Sequence, residues 1–325
     1  MNRKPKMTPF TKKDFDRQFP DDAACLEWLK NRLYPEGIHC KNCEQVTKHH
    51  RVKSRPSYCC DHCGNHVHPT AETIFHKSPT PLTTWFYAIY LMASTRCGIS
   101  AKQIQRETGV TYKTAWRMFK QIRTMLDEDS DPLGGKTRKG GSGKPVEVDE
   151  TYMGGKRRGQ ALTRGRNNEA KTPVVGIVER RGRVRAYTTQ DVKKNTIFGI
   201  IKEHVLPETV VFTDDYAVYD DLRFHRNNYT HRRIRHSAKV YVIGDTHTNT
   251  IEGFWSLVKR GITGVYHNVG KHYLQSYLNE FSFRYNHRFD VQPMFTTFMH
   301  QIEKRDAVIR QATTVPAIQI DAEPF

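Results

Sequence analysis

Two cysteine pairs constrain this chain more than any other feature. Cys40-Lys-Asn-Cys43 is followed, after sixteen intervening residues, by Cys60-Asp-His-Cys63. Each pair puts two thiolates on one tight knuckle, and four thiolates complete a closed tetrahedral site. A closed site is structural rather than catalytic, and the spacing is that of a zinc ribbon holding one Zn²⁺. Cys59 could replace Cys60 only by breaking the two-residue spacing. His62, His66 and His68 are further substitutes that four cysteines make unnecessary. Cys25 reads as a small core residue of a helix.

The formal charge of +18 and pI of 9.6 point to a polyanionic partner, most often nucleic acid. A generally basic surface would give the same totals, but here the charge coincides with candidate DNA-reading motifs. The longest apolar run, Trp85 to Ala93, falls far short of the ~20 residues a membrane span needs. No apolar stretch follows the basic start Met1–Lys13, so no secretory signal is expected, and the seven cysteines argue for metal rather than disulfides.

In chain order, 1–20 reads as a basic, poorly ordered lead-in and 21–78 as a capped helix plus the ribbon. Lys48, His49, His50, Arg51, Lys53 and Arg55 suit a phosphate-facing hairpin or a solvated face. Residues 79–126 begin with an apolar helix. Then Ser100 can cap one helix, Gly109 marks a sharp turn, and Thr111 can cap a second. In such a helix-turn-helix, Tyr112, Lys113 and Thr114 would lie nearest the DNA bases, with Arg117 also on DNA. Ile104, Val110, Ala115, Trp116 and Phe119 would form the small core. An ordinary helical hairpin is the competing reading. Residues 127–145, rich in Gly, Lys and Ser, read as a linker.

Residues 146–290 read as the second large domain. Val146 and Val148 alternate with polar neighbours into Asp149-Glu150, a strand ending on two acids. A carboxylate there needs a compensating charge, and a hard divalent cation is one candidate. Residues 156–171 read as a basic loop ordered on DNA. Strands are expected over 172–178, 183–188, 209–213 and 240–243, and helices over 196–205 and 217–222. The fourth expected strand end carries Asp214-Asp215. Asn249, Glu252, Ser256 and Lys259 share one face of a helix whose apolar side is Phe254, Leu257 and Val258. Residues 261–267 read as turn-rich, 271–287 as an aromatic amphipathic helix, and 291–325 as a C-terminal helix and tail.

The expected fold is therefore α+β and multidomain: zinc ribbon, helix-turn-helix, then an α/β domain that resembles ribonuclease H. The chain as a whole resembles the DDE transposases of bacterial insertion sequences with an N-terminal transposase zinc ribbon and an ISXO-like catalytic domain. The motifs that carry this are the four cysteines, VDETYMGGK (148–156), FTDDY (212–216), HTNTIEGFWSLVKRGITGVYH (247–267) and EFSFRYNHR (280–288). The resemblance implies Asp149, Asp214 and Glu252 as catalytic acids binding two Mg²⁺ or Mn²⁺ ions, about 4 Å apart in sites of this type. Lys259 and Arg260 would contact DNA. Asn249 competes with Glu252 for the third position, Asp215 with Asp214, and Glu150 with Asp149. It further implies double-stranded DNA partners, namely the element's terminal inverted repeats and target DNA, and a homo-oligomer on paired ends. The setting would be the bacterial cytoplasm, near the nucleoid. The implied activity is 3′-end cleavage and strand transfer. A non-catalytic DNA-binding regulator, or a ribonuclease-H-like nuclease without strand transfer, are the alternatives.

Overall fold

The computed structural model describes residues 9–127, 132–134, 143–154, 171–224, 226–234 and 248–303. These divide into two compact units, and helix α5 passes from one to the other.

The smaller unit holds residues 9–94, 117–125 and 292–303. Its first helix, α1 (Lys12–Gln18), lies within the stretch expected to be unordered. A local signal explains it: Thr11 and Asp14 cap each other's backbone N–H groups reciprocally. Phe15 and Phe19 then bury themselves among Phe86 and Phe295. Helix α2 (Asp22–Leu33) starts at Asp21, whose carboxylate accepts from the Ala24 N–H. The ribbon follows as β1 (His39–Cys40), β2 (Gln45–Val46), β3 (His49–Val52), β4 (Ser57–Cys60) and β5 (His66–Val67). The last three form an antiparallel sheet. Helix α3 (Leu82–Ser94) packs against α2, and against the C-terminal α9 (Met294–His300).

The larger unit comprises residues 95–116 and 126–291. Helix α4 (Ala101–Thr108) is capped by Ser100 and ends on Gly109, whose φ of +72° favours glycine. Helix α5 (Tyr112–Thr124) starts where the Thr111 hydroxyl accepts from the Thr114 N–H. Both cap residues sit where local chemistry requires them. Ile104, Ala115 and Phe119 are buried, whereas Trp116 turns its ring edge-on to Tyr273. Trp116 therefore belongs to a contact with helix α8, described below, rather than to the small core expected for it.

A five-stranded sheet organises the rest. Its strands are β6 (Val146–Met153), β7 (Thr172–Glu179), β8 (Val184–Thr188), β9 (Val210–Thr213) and β10 (Thr230–Arg233). The spatial order is β10-β9-β6-β7-β8. The first three in sequence pair antiparallel, and β9 and β10 add in parallel on the other side of β6. Between β8 and β9 runs α6 (Lys194–His204), and a 3₁₀ helix over Ala217–Phe224 links β9 to β10. Helix α7 (Asn249–Gly261) continues through a π-helical turn, Ile262–Tyr266, into the region of α8 (Lys271–Asn286). That π turn replaces the loop expected over 261–267.

The period-two alternation of β6 divides the core. Val146 and Val148 face α6 and the 3₁₀ helix, together with Val175, Ile177 and Tyr219. Met153, Val174 and Val178 face α7 and α8 through Ile251, Phe254, Trp255 and Phe281. Leu133, within the expected linker, is buried and bonds through its backbone to His204 and Leu206, so this part of 127–145 is an edge of the core. The fifth strand is the polar Thr-His-Arg-Arg of β10; the strand expected over 240–243 lies outside the described residues, as do residues 156–170 of the basic loop.

The outer edge of β8 is closed by side-chain amides of α8. Asn286 accepts from the Val184 N–H at 2.7 Å and donates to its carbonyl at 3.2 Å. Gln275 accepts from the Thr188 N–H at 2.8 Å and donates to the Ala186 carbonyl at 2.9 Å.

Candidate functional site

Asp149 lies in the middle of β6, not at the strand end expected for it, because the ladder with β7 continues to Met153; it is on the face that meets α7. Its Oδ2 accepts from the Trp255 indole N–H at 3.0 Å. This contact needs Gly176, which pairs with Asp149 across the β6–β7 ladder. A Cβ on Gly176 would stand 2.4 Å from the Trp255 ring and 2.8 Å from Ile251. The absence of a side chain there lets the indole lie against the sheet. Burial, then the charges of Glu150 and Asp214, push the Asp149 carboxyl up to about 7 despite the indole bond. Glu150 points to the opposite face, where the buried Tyr219 hydroxyl donates to it at 2.6 Å. Burial also raises its pKa, against the tyrosine bond, and the charge of Asp214 adds to the rise.

Asp214 follows directly after β9. Val146 and Glu147 of β6 pair in parallel with Val211 and Phe212. Carried two residues further, that register sets Asp214 level with Asp149 on adjacent strands, whose spacing is about 4.8 Å. The Asp214 Oδ1 accepts from the Tyr216 N–H at 3.0 Å, which turns the chain just past the strand. Asp215 adjoins it, with its carbonyl accepting from Arg233.

Glu252 is exposed in the first turns of α7, where the Thr248 hydroxyl donates to its Oε1 at 3.0 Å. Asp149, Glu150 and Glu252 line one open groove of about 570 Å³, together with Ser256, Lys259 and Arg260. Asn249 is the first residue of α7, also exposed, and neither it nor Asp214 lines this groove. The groove thus combines carboxylate oxygens, which suit a hard divalent cation, with two exposed cations one turn or more away along the helix.

The four cysteines form a second candidate centre. Their Sγ atoms lie within 4.8 Å of one another, the one group of three or more such ligand atoms among the described residues. Cys40 and Cys63 are 3.4 Å apart at sulfur, and Cys43 and Cys60 are 3.9 Å apart. Four sulfurs about 2.3 Å from a tetrahedral zinc stand about 3.8 Å from each other, so the set fits that ion. The Thr47 hydroxyl, then the Cys63 N–H, hold the Cys60 thiol down at about 5, which favours a thiolate. Cys59 lies apart from the cluster, its thiol donating to the Gly64 carbonyl at 3.4 Å.

On α5, Tyr112, Lys113 and Arg117 are exposed and Thr114 is half-buried. The Lys102 ammonium sits 4.7 Å above the Tyr112 ring.

Three residues that shape the acidic groove lie outside the quoted motifs, Gly176, Tyr219 and Glu147, and a fourth, Trp255, lies within 247–267 but had no role assigned to it. The spacing of Glu147 and Asp149, two apart on a strand, was the available signal for Glu147.

Residues 140–286 match the ISXO2-like transposase domain, a span containing Asp149, Asp214, Glu252 and the whole five-stranded sheet. An uncharacterized protein in transposable element ISH50 of Halobacterium salinarum is 28% identical, over 82% of this chain and 92% of its own length. An uncharacterized transposase-like protein of Haemophilus influenzae is 30% identical over 32% of this chain and 81% of its own length. The chain belongs to the insertion-sequence transposases that carry an ISXO2-like transposase domain. No helix among the described residues is long and apolar enough to cross a membrane.

Proposed function

We propose that this transposase binds the terminal inverted repeats of its element, cuts DNA 3′ ends and joins them to a target. The larger unit would have a ribonuclease-H-like fold, with Asp149, Asp214 and Glu252 as the acids. The observation that carries this reading is the strand order. Three antiparallel strands are extended by two parallel ones with α7 packed on the central strand, an order that supports a shared site for an acid midway along β6, one just past β9 and one on α7. Glu252 is preferred to Asn249 because it lines the groove with Asp149.

Two Mg²⁺ or Mn²⁺ ions at these acids would activate the attacking oxygen and stabilise the leaving one. The chain's own groups do the rest. Trp255 orients the Asp149 carboxylate, Thr248 orients Glu252, and Lys259 and Arg260 hold the DNA backbone by charge. In cleavage, water attacks the scissile phosphorus as the P–O3′ bond breaks, leaving a 3′-hydroxyl. In joining, that hydroxyl attacks a target phosphodiester and displaces its 3′ oxygen. Tyr112, Lys113, Thr114 and Arg117 would read the repeats, and the four cysteines would hold one structural zinc. Pairing two element ends calls for at least two copies.

A labelled duplex carrying the element's ends, incubated with protein and Mg²⁺, tests this. Nicked and then joined product, both absent in Asp214→Ala, is the expected result. Nicks that never join indicate a nuclease. End-specific binding with no cleavage in either metal indicates a regulator.

A further inference from the structure

We propose that Glu147, two residues before Asp149, is a positioning residue that sets the register of the acid-bearing helix on the central strand. This rests on the acid-site reading above. Glu147 is fully buried, and a buried carboxylate is costly unless every oxygen is partnered. Its Oε2 accepts from the backbone N–H groups of Thr250 and Ile251, at 2.9 Å and 3.0 Å. Its Oε1 accepts from the Thr250 hydroxyl at 2.9 Å and from Arg180 Nε at 2.7 Å. These two N–H groups belong to the first turn of α7, which has no partner for them within the helix. The helix therefore begins on a charge supplied by β6 and not on its own cap; Thr248, at the cap position, makes no side-chain cap bond.

The register follows from two repeats. From Glu147 to Asp149 the strand advances about 6.6 Å. From the Thr250–Ile251 pair to Trp255, four to five residues of helix rise about 6–7.5 Å. The two advances match, so Glu147 clamped to the first turn and Asp149 bonded to Trp255 are consistent points along one helix–strand contact. Glu252 lies between those points. A slip of one residue would turn it about 100° around the helix axis and out of the groove. Arg180 extends the clamp towards the second acid: its guanidinium lies 3.9 Å over the ring of Phe212, two residues before Asp214. One buried carboxylate thus ties together the three elements that carry the acids.

Glu147→Gln keeps the shape and removes the charge, and whichever way the amide lies its N–H₂ meets a donor, either the two backbone N–H groups or Arg180 Nε. Thr250→Val removes only the hydroxyl contact, and Thr250→Ser restores it. Hydrogen exchange over 249–256, the melting shift produced by Mg²⁺, and the rate of end nicking against Mn²⁺ concentration would be measured on the full chain. Glu147→Gln is expected to accelerate exchange in the first turn of α7 and shrink the Mg²⁺-induced shift. It should raise the half-saturating Mn²⁺ about tenfold by loosening the helix that carries Glu252, the lower end of what losing a direct partner of a metal ligand does. Thr250→Val should show the same changes more weakly and Thr250→Ser should reverse them. If Glu147→Gln does not fold, the Thr250 pair decides the matter. Wild-type exchange and wild-type metal response in Glu147→Gln, or in Thr250→Val should the former not fold, would overturn the proposal. A wild type with no metal response refutes the acid-site reading instead, and exchange in the variants still decides the clamp.

Discussion

Replacing Asp149 by Asn should stabilise the metal-free protein while removing the proposed nicking activity. The Asp149 carboxyl ionises near 3.8 when unfolded but is held up to about 7 in the fold, chiefly by burial and then by the charges of Glu150 and Asp214. Between those values the folded chain carries a proton that the unfolded chain has lost. Stability therefore falls as pH rises from about 4 to about 7, and is flat above that. The interval from 3.8 to about 7 corresponds to about 4 kcal/mol, at about 1.4 kcal/mol per pH unit. Asp149 keeps partial solvent contact, so a gain of about 2–4 kcal/mol is expected near pH 8. Near pH 5 the gain should be less than half of that. Asn retains an oxygen for the Trp255 N–H, so packing is conserved. Urea unfolding followed by tryptophan fluorescence measures this, without added Mg²⁺ and without a strong chelator that would disturb the cysteines. A variant that is no more stable than wild type near pH 8, or equally stabilised at both pH values, would refute the reasoning.

Gly176→Ala should force Trp255 off Asp149 and cost about 1–3 kcal/mol by overpacking, read as a lower melting temperature with altered indole fluorescence. If the four cysteines hold one zinc, Cys60→Ser should lower the zinc found by metal analysis below one per chain and loosen the ribbon, whereas Cys59→Ser should leave it at one. Lys259→Ala and Arg260→Ala should each weaken DNA binding regardless of sequence. Each should also reduce the slope of log affinity against log salt by about one.

Local chemistry was legible in the sequence and long-range partnership was not. The cysteine spacing, Ser100, Gly109 and Thr111 all act within a few residues, and each appears where its own chemistry demands. Asp214 and Glu252 stand just past a strand and on a helix, as their local patterns suggest, whereas Asp149, expected at a strand end, lies in the middle of β6 because its ladder with β7 runs on to Met153. β10 was not legible, because Thr-His-Arg-Arg has no apolar alternation; it takes strand form through its ladder with β9. Glu147 reads as the polar half of an alternating strand, and its partners Thr250 and Ile251 lie more than a hundred residues away. Gly176 likewise reads as a weak point in a valine-rich strand, although the Trp255 ring occupies the space its side chain would fill. α1 was hidden by the basic composition around it, despite its reciprocal cap.

The amide clips on β8 have a consequence for how the protein is made. Asn286 is 102 residues beyond Val184 in the chain, and Gln275 is 87 beyond Thr188. At about 5–20 residues per second, a ribosome needs roughly 5–20 s to supply them after β8 emerges. During that interval the strand edge is open to pairing with another nascent copy. Products that end before α8 keep the edge open permanently and should accumulate as aggregates. Helix α8 thus closes the sheet late in synthesis, and full-length chains leave that hazard behind only once it docks.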